Sequence, residues 1–379
     1  MKKHVIEAKQ YLLNNYAQFN QPVNLNYSTK DATFKLLHKY YNIADRNLLK
    51  EGEILYETIY LSNDPAQKGW FTAATDSYLP PTPLGDPAPA QGIGRVLISK
   101  NKKFQAGEFF SGMVGWVSHN IVNPKSISAV IVDISKVSKL SDYLSVFGGT
   151  TLTAYLAAFK YSGIHPEDEG KIWLISGAAG GLGSALAQIV SKLFKPKLVL
   201  AIAGGSEKAR YVESLGPNIK CVDYKSKSYN RDFRNALNGE LIDVFVDQVG
   251  GSILNRAILH MRPFGRIVQS GAISGYNEVS DKDESFYNYP VVITKRLSIK
   301  GFVVLDHATE FSKIIRHLNE LTRRGTLDIS KFEETVAQAT DDQFYKVPDL
   351  WNGIFEGVNK GKYITQVSNN NSRSRAVKL

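Results

Sequence analysis

The sequence predicts an α/β domain with a doubly wound parallel sheet and a second, β-rich domain of irregular barrel type. Three observations support this prediction. The chain has 379 residues, which is too long for one compact core. Between about 142 and 306, apolar strand-type runs alternate with helical patterns, as in a parallel sheet covered on both faces. From 21 to about 135, short strand signals are instead separated by Gly and Pro.

The β-rich domain is predicted over residues 1–141. Residues 1–20 are expected to form a loose arm or an isolated helix. The stretch LPPTPLGDPAPAQG, residues 79–92, contains five prolines and is predicted to be a loop. The strands then resume in IGRVLISKNKKFQAGEFFSGMVGWVSH, where glycines separate short apolar runs.

The α/β domain is predicted over residues 142–306, where six buried-type strand runs occur with helical patterns between them. Six strands of this kind suit a doubly wound sheet. Residues 307–379 are expected to complete the β-rich domain, with a disordered tail from about 368 that has almost no apolar content. In chain order the strand runs are KIWLIS, KLVLAIA, KCVDY, IDVFVDQV, GRIVQSG and LSIKGFVVL.

The composition is that of a globular protein, with 43% hydrophobic and 22% charged residues. The formal net charge is +10, but Lys and Arg are scattered rather than clustered. This favours a solvated basic surface over a nucleic-acid partner, and it also suits a multiply phosphorylated cofactor.

Cysteine content and hydropathy bear on the compartment. Cys221 is the single cysteine, so no internal disulfide can form and a reducing compartment is expected. No uninterrupted apolar run reaches the roughly 18 residues of a membrane span. We therefore predict a cytoplasmic protein without a membrane segment, and a nuclear location is an alternative.

The stretch KIWLISGAAGGLGSALAQIVSKL places a glycine-rich turn between a strand and a helix. Gly177, Gly180 and Gly183 have G-x-x-G-x-x-G spacing, and Ala179 stands where the usual G-x-G-x-x-G fingerprint has glycine. Glycine allows a tight turn and lets a pyrophosphate approach the backbone at a helix N-terminus. The alternative is a merely tight turn, but the flanking strand and helix favour nucleotide binding.

The second strand run indicates which dinucleotide is bound. An NAD site usually has Asp or Glu about 20 residues after the glycines, to bind the ribose 2′-hydroxyl. Here the sequence reads AIAGGSEKAR, without an acid at that point and with Lys208 and Arg210 following. This pattern favours a 2′-phosphate and hence NADPH. Lys208 is the preferred phosphate ligand, whereas Arg210 is expected to be a surface charge.

Together these residues resemble the zinc-independent medium-chain dehydrogenases/reductases. The likeness is to the branch of leukotriene B4 12-hydroxydehydrogenase, prostaglandin reductase and alkenal double-bond reductase. It extends over about residues 50–368. It implies a Rossmann domain, a GroES-like barrel and NADPH-dependent reduction of enals or enones. It is supported by LYETIYLSNDPAQKGW, GGTTLTAYLAAF, ISGAAGGLGSALAQIVSKL, GGSEKARYVESLG, VDQVGG, GRIVQSGAISGYN and VNKGKYITQV.

The resemblance also implies the cofactor contacts. The lysine for the 2′-phosphate matches Lys208, and a stretch along the nicotinamide matches residues 270–273. A backbone stretch that holds the carboxamide matches residues 302–304, and Gln248 stands where the family often has Asn. The full predicted set is Gly180, Gly181, Leu182, Gly183, Lys208, Tyr224, Gln248, Ser270, Gly271, Ala272, Ile273, Phe302, Val303, Val304 and Asn359.

No metal site is predicted. A catalytic zinc needs about three protein ligands, and one cysteine excludes a Cys-His-Cys set. Without zinc, hydride transfer to the β-carbon of an α,β-unsaturated carbonyl is easier to support than carbonyl reduction. By resemblance, Tyr276 is the candidate donor to the substrate oxygen; alternatively it is a loop tyrosine packed on a neighbouring strand.

Two other functions stay open at this stage. One is a quinone reductase of the same fold, which the glycine turn does not distinguish from an enone reductase. The other is a catalytically idle NADPH-binding sensor or partner protein, because Ala66 stands where the branch often has a pocket tyrosine. A homodimer is expected from the resemblance alone.

Overall fold

The computed structural model describes residues 4–75, 77–277 and 286–369. Apart from residues 368 and 369, the predicted disordered tail lies outside the described residues. The chain forms two compact units. Unit 1 consists of the described residues within Met1–Leu144, Val336–Val358 and Tyr363–Leu379, and unit 2 of those within Ser145–Thr335 and Asn359–Lys362.

The strands lie in both units and are numbered here in chain order. They are β1 Val5–Leu13, β2 Phe34–Asn42, β3 Ile54–Ser62, β4 Gly92–Ser99, β5 Phe109–Gly112, β6 His119–Val122, β7 Val130–Ile131, β8 Ile172–Ile175, β9 Leu198–Ala203, β10 Ile219–Asp223, β11 Ile242–Asp247, β12 Met261–Gln269, β13 Ser298–Gly301, β14 Glu334–Gln338 and β15 Lys362–Gln366.

The α-helices are mostly short and belong chiefly to unit 2. A π-helical turn, Ala157–Tyr161, continues the second of them, and 3-10 turns include Ile273–Gly275 and Val304–Glu310. The α-helices are α1 Gln67–Trp70, α2 Gly149–Leu156, α3 Gly181–Leu193, α4 Ser206–Glu213, α5 Tyr229–Leu237, α6 Gly251–Leu259, α7 Pro290–Lys295, α8 Phe311–Arg323 and α9 Val347–Asn352.

Unit 2 contains a six-stranded sheet in the order β10-β9-β8-β11-β12-β13. All of its neighbouring strands are parallel. β8 and β9 are buried at every position, as expected for strands covered on both faces. The strand order reverses between β8 and β11, where dinucleotides bind in such folds. The predicted doubly wound sheet is confirmed, and the glycine turn follows β8 at this reversal point.

Unit 1 contains a seven-stranded sheet in the order β14-β15-β3-β4-β5-β7, with β6 paired to β3. The described pairings of β3, β4, β5 and β7 are antiparallel. This confirms a β-rich domain in addition to the α/β domain. β3 is buried along its whole length, which places it at the centre of the unit 1 core.

The expectation of a loose arm or helix over residues 1–20 is wrong. β1 pairs antiparallel with β2 over its full length. Tyr11 and Leu13 are buried two residues apart on one face of the strand. The Tyr11 hydroxyl also donates to the carbonyl of Tyr345 at 2.8 Å. Pairing with β2 and burial of this face hold the segment in extended form.

The C-terminal part of the chain contributes to both units. Residues 307–335, which include α8, lie within unit 2, whereas most of residues 336–369 lie within unit 1. The helix buries Ile314, Leu318 and Leu321, and it contacts α2. The proposed domain boundaries, 1–141, 142–306 and 307–379, remain predictions. No helix in the described part of the chain is long and apolar enough to cross a membrane.

Candidate functional site

The glycine turn after β8 is closed tightly onto the start of α3. Gly177 has φ 57°, which favours glycine, and Gly180 caps the helix. A Cβ on Gly183 would lie 2.4 Å from the Gly177 carbonyl oxygen, so no other residue fits there without displacing the backbone. The turn and the helix N-terminus therefore offer bare main chain, as a pyrophosphate site requires.

A second segment of unit 2, near Asn359, closes this turn. The Gly361 N–H donates to the Ala179 carbonyl at 2.7 Å, and the Asn359 side chain donates to the Gly361 carbonyl at 2.8 Å. A Cβ on Gly361 would lie 1.9 Å from the Glu333 carbonyl oxygen. Asn359 thus lies beside the glycine turn, although nearly 180 residues separate them in sequence. Sequence reasoning named Asn359 but missed the role of Gly361.

Asp247 is the last residue of β11, and its side chain connects the loops at the carboxyl ends of the central strands. It was not predicted as a site residue from the sequence. Its side chain is fully buried. Oδ1 accepts from the Ser176 hydroxyl at 2.6 Å and from the Val249 N–H at 3.0 Å, and Oδ2 accepts from the Gly250 N–H at 3.1 Å. Burial raises the pKa of this carboxyl, while its hydrogen bonds oppose that shift.

Gln248 is turned toward the end of β8. Its side chain donates to the Ser176 carbonyl at 2.8 Å, and its N–H donates to the Ser176 hydroxyl at 2.9 Å. The side-chain amide therefore already has a partner within the protein. The predicted cofactor contact through Gln248 remains a proposal, with its carbonyl oxygen as the candidate group.

The predicted nicotinamide segment, residues 270–273, follows β12 along the same edge. The Ser270 hydroxyl donates to the Asp247 carbonyl at 3.0 Å, and the Ile273 N–H donates to the Gln248 carbonyl at 3.1 Å. A Cβ on Gly271 would lie 3.1 Å from the same Gln248 carbonyl. The loops after β8, β11 and β12 therefore converge, which brings together residues far apart in sequence.

The end of β9 carries a basic pocket without an acid in residues 203–206. Lys208 is half-buried on α4, and its pKa is lowered by burial and by the neighbouring Lys225 ammonium. A Cβ on Gly204 would lie 2.8 Å from the Tyr224 ring and 3.0 Å from Lys225 Cε. The Gly205 N–H donates to Asp223 Oδ1 at 2.8 Å. Tyr224 and Lys225 thus lie against the bare backbone at Gly204, and the Lys208 ammonium lies near that of Lys225. Two neighbouring ammonium groups suit a phosphate, and the acid in these contacts is the Asp223 carboxylate at Gly205.

Comparison with known proteins identifies the family. Residues 28–130 match the family described as N-terminal domain of oxidoreductase, and residues 181–320 match the family described as zinc-binding dehydrogenase. A Saccharomyces cerevisiae protein named uncharacterized membrane protein YML131W is 41% identical over 96% of this chain and 100% of its own. This chain is a medium-chain dehydrogenase/reductase.

Other relatives indicate the branch of the family to which this oxidoreductase belongs. Bos taurus prostaglandin reductase 1 is 31% identical over 84% of this chain and 90% of its own. The Nicotiana tabacum protein named 2-alkenal reductase (NADP(+)-dependent) is 28% identical over 96% and 98%. The solved structure of Vibrio vulnificus CurA with NADPH has TM-score 0.78 and 24% identity, covering 95% of this chain and 99% of that one. The zinc-independent branch expected from the sequence is confirmed.

Tyr276, the catalytic candidate in this reductase, follows the 3-10 turn Ile273–Gly275. Its hydroxyl accepts a long hydrogen bond from the Ala272 N–H, at 3.4 Å. Burial raises the pKa of the phenol above its ordinary value, so the group keeps its proton at neutral pH. The tyrosine thus lies beside the predicted nicotinamide segment in a form that can donate a hydrogen bond.

Cys221 is the single cysteine of the chain and lies in β10. Burial raises the pKa of Cys221 to about 12, which makes its thiol a poor nucleophile. The described residues contain no group of three or more His, Cys, Asp or Glu side chains placed to hold a metal ion.

The segment DPAQKGW of unit 1 contains the main departure from the branch. Ala66 lies just before α1 and is exposed. Because the residue is alanine, this position has no aromatic ring. Lys68 is fully buried in that helix, and its ammonium group donates to the Gln21 carbonyl. Burial lowers the pKa of Lys68 to about 8.

Proposed function

We propose that this chain reduces the C=C bond of an α,β-unsaturated aldehyde or ketone with NADPH and without zinc. It is an oxidoreductase, and NADPH is its cofactor. The observation that carries the reduction is the Tyr276 hydroxyl beside the predicted nicotinamide segment, 3.4 Å from the Ala272 N–H. The cofactor is supported by the pairing of a bare glycine turn with a basic pocket at the end of the next strand. The turn suits a pyrophosphate, and the Lys208 pocket suits an additional phosphate.

Each part of the dinucleotide has a candidate partner in unit 2. The backbone of residues 180–183 would hold the pyrophosphate at the N-terminus of α3. Lys208 would bind the 2′-phosphate, and Tyr224 would pack beside it. The residue segments 270–273 and 302–304 would hold the nicotinamide end, and Asn359 would contact the cofactor beside the glycine turn. When bound, NADPH supplies a hydride for transfer to the substrate.

In this proposal Tyr276 stabilises the charge that develops on the substrate carbonyl oxygen. Addition of a hydride at the β-carbon breaks the C=C π bond and shifts an electron pair toward that oxygen. A neutral phenol hydrogen-bonded to the oxygen lowers the energy of the resulting enolate. Water then supplies the proton to the α-carbon, so the net change is addition of two hydrogens.

The names of two relatives support the substrate class. One is a prostaglandin reductase and the other a 2-alkenal reductase, and both align with most of this chain. Ala66 stands at a predicted pocket position where that branch often has tyrosine. We therefore expect this chain to prefer a different enal or enone from the two relatives. A quinone substrate, or cofactor binding without turnover, is the competing outcome.

The proposal is tested by following NADPH oxidation by the purified chain with a panel of enals, enones and quinones. Product analysis should show a saturated carbonyl from an enal or enone, with the carbonyl group retained. Turnover of quinones alone would replace the proposal with a quinone reductase. Tight NADPH binding without turnover on any compound would replace it with an idle NADPH-binding protein.

We also infer a homodimer, from the family resemblance. β13 is the edge strand of the unit 2 sheet, and all four of its residues are exposed. Sedimentation at several concentrations tests this inference, and a monomer throughout would refute it. The cytoplasmic location remains a prediction, and microscopy of the tagged chain tests it against a membrane location.

A further inference from the structure

One tyrosine of unit 2 contacts both ends of the segment that follows β13. The Tyr161 ring stacks on the Phe302 ring, with centroids 4.3 Å apart and an interplanar angle of 17°. The Tyr161 hydroxyl lies 2.7 Å from His307 Nε2. Phe302 and His307 bracket residues 303–306, which have no strand pairing. Tyr161 therefore fixes the start and the end of this short segment at once.

Side chains hold both ring nitrogens of His307 in place. Its Nδ1 lies 2.8 Å from Glu310 Oε1, and a carboxylate can only accept. The Lys160 ammonium lies 3.1 Å from the same Nδ1, so Tyr161, Glu310 and Lys160 all hold this imidazole. The Lys160 ammonium pairs with the same Glu310 oxygen at 2.6 Å and fixes the carboxylate. His307 is only 8% exposed, so its ring is shielded from water, whereas the Lys160 and Glu310 side chains are 45% and 42% exposed.

The backbone of Tyr161 is also anchored. Tyr161 ends the π-helical turn Ala157–Tyr161, a feature that often occurs at functional sites. Arg266 of β12 donates to the Tyr161 carbonyl at 3.2 Å. Its guanidinium lies against Gly163, where an added Cβ would be 2.4 Å from Arg266 Nη1. The tyrosine is thus held to the central sheet.

We propose that Tyr161 is a positioning residue for the nicotinamide end of the cofactor, acting through Phe302 and His307. This inference rests on the proposed function, because it assigns residues 302–304 to the nicotinamide carboxamide. A fixed backbone stretch can present its N–H and C=O groups without paying an ordering cost on binding. Tyr161 itself need not touch the cofactor.

The structure supplies a matched control in α2. The Tyr155 ring stacks on Phe159 with centroids 4.3 Å apart, and its hydroxyl lies 2.8 Å from His317 Nδ1. Tyr155 therefore makes the same two kinds of contact as Tyr161, but with residues outside the 302–307 segment. Tyr155→Leu and Tyr161→Leu each remove one ring stack and one hydrogen bond to a histidine, and only Tyr161→Leu releases the segment. Tyr161→Leu also removes the contact of its ring with the Lys300 ammonium, which lies 5.1 Å from the ring centroid.

The experiment measures binding of two probes by calorimetry. NADPH contains the nicotinamide, whereas adenosine 2′,5′-bisphosphate contains only the adenosine and its phosphates. Tyr161→Leu should raise the Kd for NADPH about tenfold, since an aromatic pair and a hydrogen bond are lost, and leave the Kd for the bisphosphate unchanged. Tyr155→Leu should change neither Kd.

A second variant keeps the test decisive if Tyr161→Leu does not fold. Phe302→Leu removes the stack from the other side and should weaken NADPH binding with the same selectivity. If the variants bind both probes more weakly to the same extent, or bind both as tightly as wild type, the inference is overturned and the proposed function still stands. Failure of the wild-type chain to bind the bisphosphate would overturn both.

Discussion

The Ser176 hydroxyl donates a 2.6 Å hydrogen bond to the buried carboxylate of Asp247. Asp247 ends β11 and Ser176 directly follows the adjacent strand β8, at the point where the strand order reverses. The same carboxylate accepts hydrogen bonds from two N–H groups of the turn that begins α6. One side chain thus sets the relative position of the loops that we assign to the cofactor.

Asp247→Asn should destabilise the protein strongly, because an amide NH2 would face N–H donors in a buried site. We expect a loss of about 2–3 kcal/mol in the free energy of unfolding, as for a broken buried network. Ser176→Ala removes one hydrogen bond of that network and should cost about 1 kcal/mol. Urea unfolding followed by circular dichroism measures both, and equal stability of Asp247→Asn and wild type would contradict this role.

Gly183→Ala should weaken NADPH binding and lower stability, since the new methyl would lie 2.4 Å from the Gly177 carbonyl oxygen. The turn must open to admit it, which displaces the backbone proposed to hold the pyrophosphate. Gly69→Ala is the control, because an added Cβ there has nothing within 4 Å. The comparison uses melting temperature and NADPH titration. An NADPH affinity of Gly183→Ala equal to wild type would show that the turn does not hold the pyrophosphate.

Tyr276→Phe should lower kcat/KM for an enal by roughly ten- to a hundredfold, because one donor to the developing oxyanion is lost. NADPH affinity should not change. Burial holds the pKa of Tyr276 above its ordinary value of 10.0, so the phenol should cause no alkaline loss of activity below about pH 10. Steady-state kinetics across pH tests both statements, and unchanged turnover would remove Tyr276 from the mechanism.

Lys68 should make stability depend on pH. Its pKa is about 8 in the folded chain and near 10.5 when exposed, so between these values the unfolded chain binds more protons. Stability should therefore rise with pH across this window, by up to about 3 kcal/mol. Lys68→Met should abolish the rise, measured by urea unfolding at several pH values. An equally steep rise in the variant would assign the pH dependence to another group.

The sequence predicted the unit 2 sheet well, and the reason is physical. Strands buried on both faces are nearly continuous apolar runs, as in LVLAIA of β9. The glycine turn was equally easy to predict from the sequence, because bare backbone between a strand and a helix has few uses other than binding a phosphate group. β1 was missed because VIEAKQYLL has only a short alternating pattern, and its partner strand begins more than twenty residues later.

Other parts of the site depend on contacts that no local pattern reveals. Asp247 looks like an ordinary polar residue after a strand, and only the structure shows that donors surround it. Tyr161 and His307 are separated by 146 positions in sequence, and Ala179 and Gly361 are still farther apart. Lys225 follows a predicted contact, Tyr224, yet its approach to Lys208 arises from the packing of β10 beside β9.

The central claim is that a glycine turn and a lysine pocket bind NADPH in preference to NADH. Calorimetric titration of both cofactors tests it most directly, with wild type, Lys208→Ala and the exposed-residue control Arg210→Ala. The account predicts tighter binding of NADPH by wild type. In Lys208→Ala it predicts about a tenfold to hundredfold loss of NADPH affinity, with NADH affinity unchanged, because a charged phosphate contact is lost. Equal affinity of the wild-type chain for the two cofactors would contradict it.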